Sequence, residues 1–394
     1  MRPRLHHMSI CAEGVCYLVI MAFILAASLI RQMNLLMILY GVLTGPLLLS
    51  WPLVRRQLKR VDVTRHAPKT VVAGEPFSVD VEIANGRRGA SFGLAVRDEL
   101  ERRGREGTPN VAVDVYCGYV PGQSSRRTTY AGKLPRRGVY QFLPMKLSSR
   151  FPLGLLRTMV RLDKPQKLLV LPRLGKLSPV WKRMLRAEEG TASGARRTTG
   201  LDDGDFYGLR DWRPGDPRNR IHWRTSARRQ SLTVRQYERR RQSELLLIVD
   251  LWEPPKAAEA DRARTDSVAS FAATVLAEAC RDGGQHVRLE LLAKRPRQLH
   301  GSASSPLLEE AWQMLAAADA ASNDALPASL VESLGDLRSH VNVVIVSTRE
   351  VDLRDRSRFA PLYQQPNLQP WLARIVPLTP GDAAWGEVFR EVPA

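Results

Sequence analysis

The residues best suited to chemistry are crowded between Gly200 and Arg241, in the run GLDDGDFYGLRDWRPGDPRNRIHWRTSARRQSLTVRQYERRR. From Tyr207 to Arg241 there are eleven arginines and no lysine. Arginine used without lysine points to planar, two-pronged pairing with carboxylate or phosphate, not to a diffuse cationic surface. Trp212 and Trp223 offer ring faces on which guanidinium groups can stack. Pro214-Gly215-Asp216-Pro217 reads as a tight turn, and Ile221-His222-Trp223-Arg224 as the lead into a short strand or helix. Three uses stay open. Asp202, Asp203, Asp205, Asp211 and Asp216 can pair internally with the arginines and fix the loop; the stretch can dock a protein; or it can hold a phosphate or nucleotide.

Other candidate chemistry is sparse. His222 and Ser226 are four residues apart and would share a helix face, but that spacing is common, and a structural hydrogen bond is the expected role of His222. Cys280 falls in an expected helix with no evident base, so a core thiol is expected there. The chain has no Gly-x-Ser-x-Gly elbow, P-loop, His-Glu-x-x-His or Gly-x-Gly-x-x-Gly, so no enzymatic activity is expected. Its four cysteines contain no Cys-x-x-Cys pair. That excludes a disulfide framework or a zinc site and fits a reducing compartment.

The elements that must position these residues follow from hydrophobic period. From residue 244 onward, Leu245–Asp250, Val287–Leu292 and Val341–Ser347 read as strands buried on both faces, with Trp371–Val376 a fourth. Between and after them, Asp261–Arg281, Pro306–Ala318, Leu326–Leu337 and Asp382–Arg390 have helical composition. Strand–helix alternation predicts an open α/β fold with a parallel sheet, whose sites form at the carboxyl ends of strands. Asp250 and Ser347 stand at such ends. Residues 61–162 instead alternate apolar and polar, with Phe77–Ile83, Ser91–Val96, Val111–Tyr116, Tyr140–Leu147 and Leu155–Leu162 as strands of a small antiparallel sandwich. Residues 163–243 form a connector that carries a short strand at Leu168–Pro172, a loop at Gly190–Gly200 and the arginine-rich stretch.

Residues 1–60 read differently again. Ile10–Ile30 and Met33–Val54 are apolar runs, separated by Arg31 and Gln32. As helices they span about 31 and 33 Å, enough for a hydrocarbon core of about 30 Å. So short a link makes them an antiparallel hairpin. Arg2 and Arg4 precede it and Arg55, Arg56, Lys59 and Arg60 follow it, which places both ends in the cytoplasm and the chain in the cytoplasmic membrane with two passes. A cleaved signal peptide is the competing reading. Trp51 and Tyr17 are expected at the interface. The net charge of +19 fits either a solvated basic surface or an anionic partner such as lipid or nucleic acid.

Leu209-Arg210-Asp211-Trp212-Arg213-Pro214-Gly215-Asp216, Arg220-Ile221-His222-Trp223-Arg224 and Ser226-Ala227-Arg228 resemble the signature of the bacterial domain of unknown function 58 family. Arg137-Gly138-Val139-Tyr140 and Phe151-Pro152-Leu153-Gly154-Leu155 also look like family features. The resemblance implies two N-terminal membrane helices, an immunoglobulin-like β region and a domain like von Willebrand factor type A. It also implies work with MoxR-type AAA+ ATPases, often beside transglutaminase-like membrane proteins. Such a domain often holds a divalent cation through Asp-x-Ser-x-Ser, a ligand set suited to Mg²⁺. Here the run is Asp250-Leu251-Trp252-Glu253-Pro254. Both serines are missing, so at most Asp250, Glu253 and Ser347 (or Thr348) would supply oxygens, and no cofactor is expected. The leading expectation is a membrane-anchored adaptor that docks an AAA+ ATPase or its client. The alternatives are a membrane-tethered nucleic-acid or anionic-ligand binder and a cryptic hydrolase or transferase.

Overall fold

The computed structural model describes residues 6–103, 111–192, 199–200, 205–238, 244–337 and 341–392. It divides into two compact units, Met1–Arg173 and Leu174–Pro393.

The first unit runs β1 (His6–Ile10), α1 (Ala12–Arg31), α2 (Asn34–Gln57), β2 (Val61–His66), β3 (Thr70–Val72), β4 (Pro76–Asn85), β5 (Ser91–Arg102) and β6 (Val111–Val120). It continues with β7 (Ser124–Lys133), β8 (Gly138–Phe142), β9 (Met145–Ser149), β10 (Leu156–Leu162) and β11 (Gln166–Leu171). Helices α1 and α2 are both long and apolar enough to cross a membrane, and only 17% and 11% of their most apolar windows are buried. Gln32 turns the chain between them in a left-handed conformation. The Tyr17 hydroxyl donates to the Leu43 carbonyl across the hairpin at 2.6 Å. That group lies one residue past Val42, whose carbonyl Pro46 leaves without its helical donor.

The strands form an eight-stranded sheet, β1-β10-β9-β5-β8-β11-β3 with β6 also on β5, and a three-stranded sheet, β2-β4-β7. Inward residues of both sheets share a core: Val63, Val81 and Ile83 from one, Leu94, Val96, Leu147 and Val160 from the other. An ion pair bridges the same space. Arg65 donates to Asp98 (Nε–Oδ2 2.8 Å), both side chains are buried, and the Tyr130 hydroxyl adds a third donor to Asp98 at 2.7 Å. With these bonds complete, a charged pair is tolerated in an apolar interior.

Four features depart from the sequence expectation. Strand β1 precedes the first helix and pairs with β10. Strand β7, mostly exposed and polar, carries no apolar period to betray it. Tyr140–Leu147 is two strands, broken at Leu143-Pro144, because proline has no N–H for the ladder. The strand expected in the connector is β11, hydrogen bonded to β8 and β3.

The second unit begins with β12 (Lys176–Leu177), α3 (Pro179–Ala192), β13 (Thr199–Gly200), β14 (Asp205–Asp211), a 3-10 turn at Arg218–Arg220, α4 (Trp223–Arg229) and β15 (Thr233–Glu238). It continues with β16 (Glu244–Asp250), α5 (Glu259–Asp282), β17 (His286–Leu292), β18 (Arg297–Ser302), α6 (Ser305–Ala317), α7 (Leu326–Gly335) and β19 (Val341–Ser347). It ends with α8 (Ala360–Tyr363), α9 (Gln369–Leu372), β20 (Ile375–Leu378), α10 (Ala383–Val388) and β21 (Phe389–Arg390). The large sheet has the order β18-β17-β16-β19-β20. All its pairings are parallel except β17–β18, an antiparallel edge hairpin that the expected all-parallel sheet lacked. One face packs Leu245, Leu247 and Val249 on Phe271, Val275 and Leu315, and the other packs Leu246 and Ile248 on Leu326, Leu330 and Phe359. A strand covered on both faces needs apolar residues at every position, which explains the unbroken Leu-Leu-Leu-Ile-Val run.

Two boundaries move. Trp371 belongs to α9, started by Pro370, and the last strand begins only at Ile375. The final helix stops at Val388, and β21 then pairs with β12. The loop expected at 190–200 is helical to Ala192 and extended at Thr199–Gly200; positions 193–198 lie outside the described residues.

Candidate functional site: the arginine-rich loop and the carboxyl end of the sheet

The arginine-rich stretch is built on a small sheet in which β15 lies between β13 and β14. Strand β14 delivers Arg210 and Asp211 opposite Val234 and Thr233. The chain then reverses through a turn closed by the Asp216 amide donating to the Arg213 carbonyl at 3.0 Å. Pro214 and Gly215 fill the two central positions, and Gly215 has φ +104°, where a side chain would be strained.

Asp216 is the keystone. Its carboxylate accepts two bonds from Arg210, at 2.6 and 2.7 Å, and one from the Arg213 amide at 2.9 Å. The Trp212 indole N–H donates to its backbone carbonyl at 3.3 Å. Arg210 holds the Asp216 carboxyl below the usual aspartate range, with the Arg213 amide adding to the effect, and Asp216 in turn raises Arg210. This is the two-pronged geometry read from the sequence, satisfied within the loop. Asp202 and Asp203 lie outside the described residues, as does the Asp205 side chain, so their expected pairings go unplaced.

The next segment is also held internally. Ile221 is buried and bridges to Val234. His222 caps α4: its Nδ1 accepts from the Thr225 amide at 3.3 Å and lies 2.8 Å from the Thr225 hydroxyl. The buried Ser226 hydroxyl donates to the His222 carbonyl (3.1 Å) and accepts from the Thr233 amide (2.9 Å). The imidazole and the Ser226 hydroxyl are therefore engaged separately and do not form a nucleophile–base pair. Arg220 is half-buried beside them.

What remains faces outward. Trp223 is 65% exposed, and Arg213, Arg218, Arg224, Ala227, Arg228 and Arg229 are exposed with it. Those five arginines have no ion-pair or hydrogen-bonding side-chain partner among the described residues. The stretch thus divides into an inner clamp of Arg210, Asp216, His222 and Ser226 and an outer face of Trp223 with arginines.

The carboxyl end of the large sheet holds a second cluster. Register sets Asp250 beside Ser347. Asp250 is 2% exposed. Its Oδ2 accepts from the Ser347 hydroxyl at 2.8 Å and lies 3.5 Å from Arg349 Nε. Burial pushes the Asp250 carboxyl up, against the opposing pull of Arg349 and Ser347. Arg349 also pairs with Asp324 and lies over the Trp252 ring at 4.9 Å. Arg358 Nε donates to Asp324 at 2.8 Å. Burial raises the Asp324 carboxyl, but Arg358 and Arg349 outweigh it and hold the group below its ordinary range. Thr348 joins the strand ends: its hydroxyl accepts from the Trp252 amide (3.0 Å) and donates to the Trp252 carbonyl (2.6 Å).

The trio expected as oxygen ligands is therefore split. Ser347 joins Asp250, whereas Glu253 accepts from the Thr265 hydroxyl at 2.7 Å. The cationic partner of Asp250 is a guanidinium. Among the described residues no three His, Cys, Asp or Glu side chains are gathered to hold a metal ion. Sequence reading missed Asp324, Arg349 and Arg358. The one available signal was an arginine two residues past a buried strand that ends level with Asp250. Cys280 is partly buried against the Ser304 carbonyl, and burial pushes its thiol up.

Comparison with known proteins gives one family match. Residues 208–352 match the model of the family described as "Protein of unknown function DUF58". The match covers that segment and not the rest of the chain. It takes in the Asp216 clamp, the exposed Trp223 face and Asp250 with Arg349, and stops short of Arg358. No curated protein matches the chain. Among solved structures, a superoxide reductase (neelaredoxin) from Ignicoccus hospitalis is 19% identical over 27% of this chain and 78% of its own, with a TM-score of 0.19. The CARDB domain of a Pyrococcus furiosus protein is 14% identical over 28% of this chain and 94% of its own (TM-score 0.19). A β-glucosidase from Listeria innocua is 13% identical over 28% of this chain and 16% of its own (TM-score 0.20). At such scores these likenesses carry no argument about the DUF58 segment or the rest of the chain.

Proposed function

We propose that the chain is a membrane-anchored adaptor whose DUF58 segment docks an acidic face of a soluble partner at the cytoplasmic surface. The observation that carries this reading is the division of the arginine-rich stretch. Its inner groups bond to one another and stiffen the loop, leaving Trp223, Arg224, Arg228 and Arg229 exposed without acidic partners among the described residues. A preorganised surface of arginine and tryptophan is the chemistry of an interface hot spot. The partner class comes from the family resemblance: a MoxR-type AAA+ ATPase or its client. The helix-covered sheet ending in Asp250 supports a von Willebrand factor type A-like reading of the second unit, and the paired sheets support an immunoglobulin-like reading of the first.

The anchor rests on α1 and α2. Their apolar faces are largely exposed, unlike those of soluble core helices. Strand β1 enters α1 and β2 leaves α2, and both belong to the same two-sheet body. The two ends of the hairpin are therefore on one side, and the basic flanks make that side cytoplasmic. Removal of α1 as a signal peptide would also strip β1 from β10, which disfavours cleavage.

The test is affinity capture from detergent-solubilised membranes with a tagged full-length chain. We expect an AAA+ ATPase with the wild type and its loss with Arg224→Glu/Arg228→Glu, whose side chains are exposed and make no bonds needed for folding. Capture that never includes such an ATPase, or that is unchanged in the double variant, refutes the reading. A second reading, binding of nucleic acid, draws on the same arginines and the +19 charge. It requires a mobility shift with DNA or RNA that weakens steeply as salt rises.

A further inference from the structure

The base of the helical hairpin carries a groove of about 420 Å³, within the roughly 300–1,000 Å³ typical of ligand sites. Its walls are apolar: Leu18 from α1, Leu47, Leu48 and Trp51 from α2, and Leu155 and Leu156 at the start of β10. The wall from the two-sheet body is fixed in place. The Cys11 amide donates to the Leu155 carbonyl at 2.9 Å, and a Cβ on Gly14 would stand only 2.2 Å from that oxygen. Glycine at 14 thus lets α1 lie against Leu155 and leaves the groove between α1 and α2 open. Leu48 is 68% exposed and Trp51 50% exposed.

The mouth of this groove is cationic. The Arg55 guanidinium lies over the Trp51 ring at 5.2 Å, one helical turn beyond the apolar wall, and Arg56, Lys59 and Arg60 follow it. The nearby acid, Glu13, lies 4.0 Å from Arg150. An apolar slot continuous with membrane helices, capped by tryptophan and an exposed guanidinium, matches a molecule with a hydrocarbon tail and an anionic head.

We propose that this groove is a binding site for an anionic phospholipid, with one acyl chain between α1, α2 and Leu155–Leu156 and the phosphate on Arg55. The inference rests on the hairpin lying in the membrane. The chain occupies a surface that water would wet poorly, and the headgroup gains a charge-assisted bond that a zwitterionic lipid offers less well. The site would fix the height of the two-sheet body against the bilayer.

Trp51 is the sole tryptophan before residue 181, so it reports on the site. Full-length protein is reconstituted in phosphatidylcholine vesicles containing a minor fraction of brominated phosphatidylglycerol or, separately, brominated phosphatidylcholine. Trp51 quenching is the wild-type signal minus that of Trp51→Phe. We expect the anionic lipid to quench at lower mole fraction, by roughly fivefold, the Boltzmann factor for about 1 kcal/mol per basic side chain at an anionic surface. Arg55→Gln should abolish that preference. Leu18→Phe/Leu47→Phe, which fills the groove and spares Arg55, should abolish it too. Equal quenching by both lipids in the wild type overturns the site and leaves the anchor standing. A preference that survives groove filling overturns it as well, by placing the lipid at the outer boundary of the hairpin. Quenching by neither lipid overturns both the site and the anchor.

Discussion

Arg349→Ala is the perturbation that tests the carboxyl end of the sheet most sharply. In the wild type, Asp250 has one hydroxyl donor, Ser347, and one cation, Arg349. Asp324 keeps Arg358 when Arg349 is lost, so the damage falls on Asp250 and on the Trp252 ring that Arg349 covers. Breaking a buried ion pair by removing one partner costs about 3–5 kcal/mol. The Arg349 side chain is 21% exposed, so water can partly replace it and the lower end, about 3 kcal/mol, is expected. Asp250→Asn is the informative contrast. It removes the buried charge, lets the side-chain carbonyl still accept from Ser347, and leaves Arg349 its Asp324 partner. A loss of about 1 kcal/mol is expected, the worth of a weakened hydrogen bond. The double variant should cost less than the sum of the two, because both changes remove one interaction.

The assay is hydrogen–deuterium exchange of peptides spanning β16 and β19 in the detergent-solubilised full-length protein across a urea series. With a urea dependence of roughly 2 kcal/mol/M, Arg349→Ala should move the midpoint down by about 1.5 M and Asp250→Asn by about 0.5 M. If Arg349→Ala costs no more than Asp250→Asn, Asp250 does not depend on its guanidinium, and the account of a buried carboxylate held by Arg349 is wrong.

Other outcomes follow from the same geometry. Asp216→Ala should speed exchange of the Arg213 amide, which loses its acceptor, while the Trp212 amide, bonded to the Leu232 carbonyl at 2.7 Å, stays slow; equal rates for both refute the clamp. The depressed carboxyl of Asp324 contributes stability that is fully present above about pH 4 and lost as pH falls through its folded value. Asp324→Asn should therefore flatten the acid limb of a stability–pH curve. Asp250 is shifted the other way, so its contribution is favourable in acid and is lost as pH rises through its raised value; Asp250→Asn should remove that decline. Gly14→Ala should destabilise the first unit by about 1–3 kcal/mol through overpacking against Leu155, read as faster proteolysis around residues 150–156; a silent substitution would show that α1 moves freely on the two-sheet body.

The elements that sequence disclosed are those whose signal is local. The two spans of the hairpin, the buried strands β16 and β19 and the Pro214-Gly215 turn each carry their own pattern. Continuous apolar runs must be buried or lie in lipid, and a Pro-Gly pair suits the two central positions of a tight turn. Strand β7 escaped because its residues are polar and its place is set by pairing with β4. Strand β1 escaped, and β11 was left outside the sandwich, because β10 and β3, their respective partners, are distant in sequence. The two-pronged use of arginine was legible in composition. Which arginine is spent inward was not.

By itself, then, the sequence determined two apolar spans with basic flanks, an alternating β region, a helix-covered sheet and a loop rich in arginine. Tertiary structure alone decided that β1 ties the start of the hairpin to β10, that Arg210 closes on Asp216 while Arg224 and Arg228 face outward, and that Asp250 meets Ser347 and Arg349. Hydrophobic period and turn chemistry act over a few residues. The partners of Asp250 lie almost a hundred residues away, and only the register of β16 on β19 brings them level.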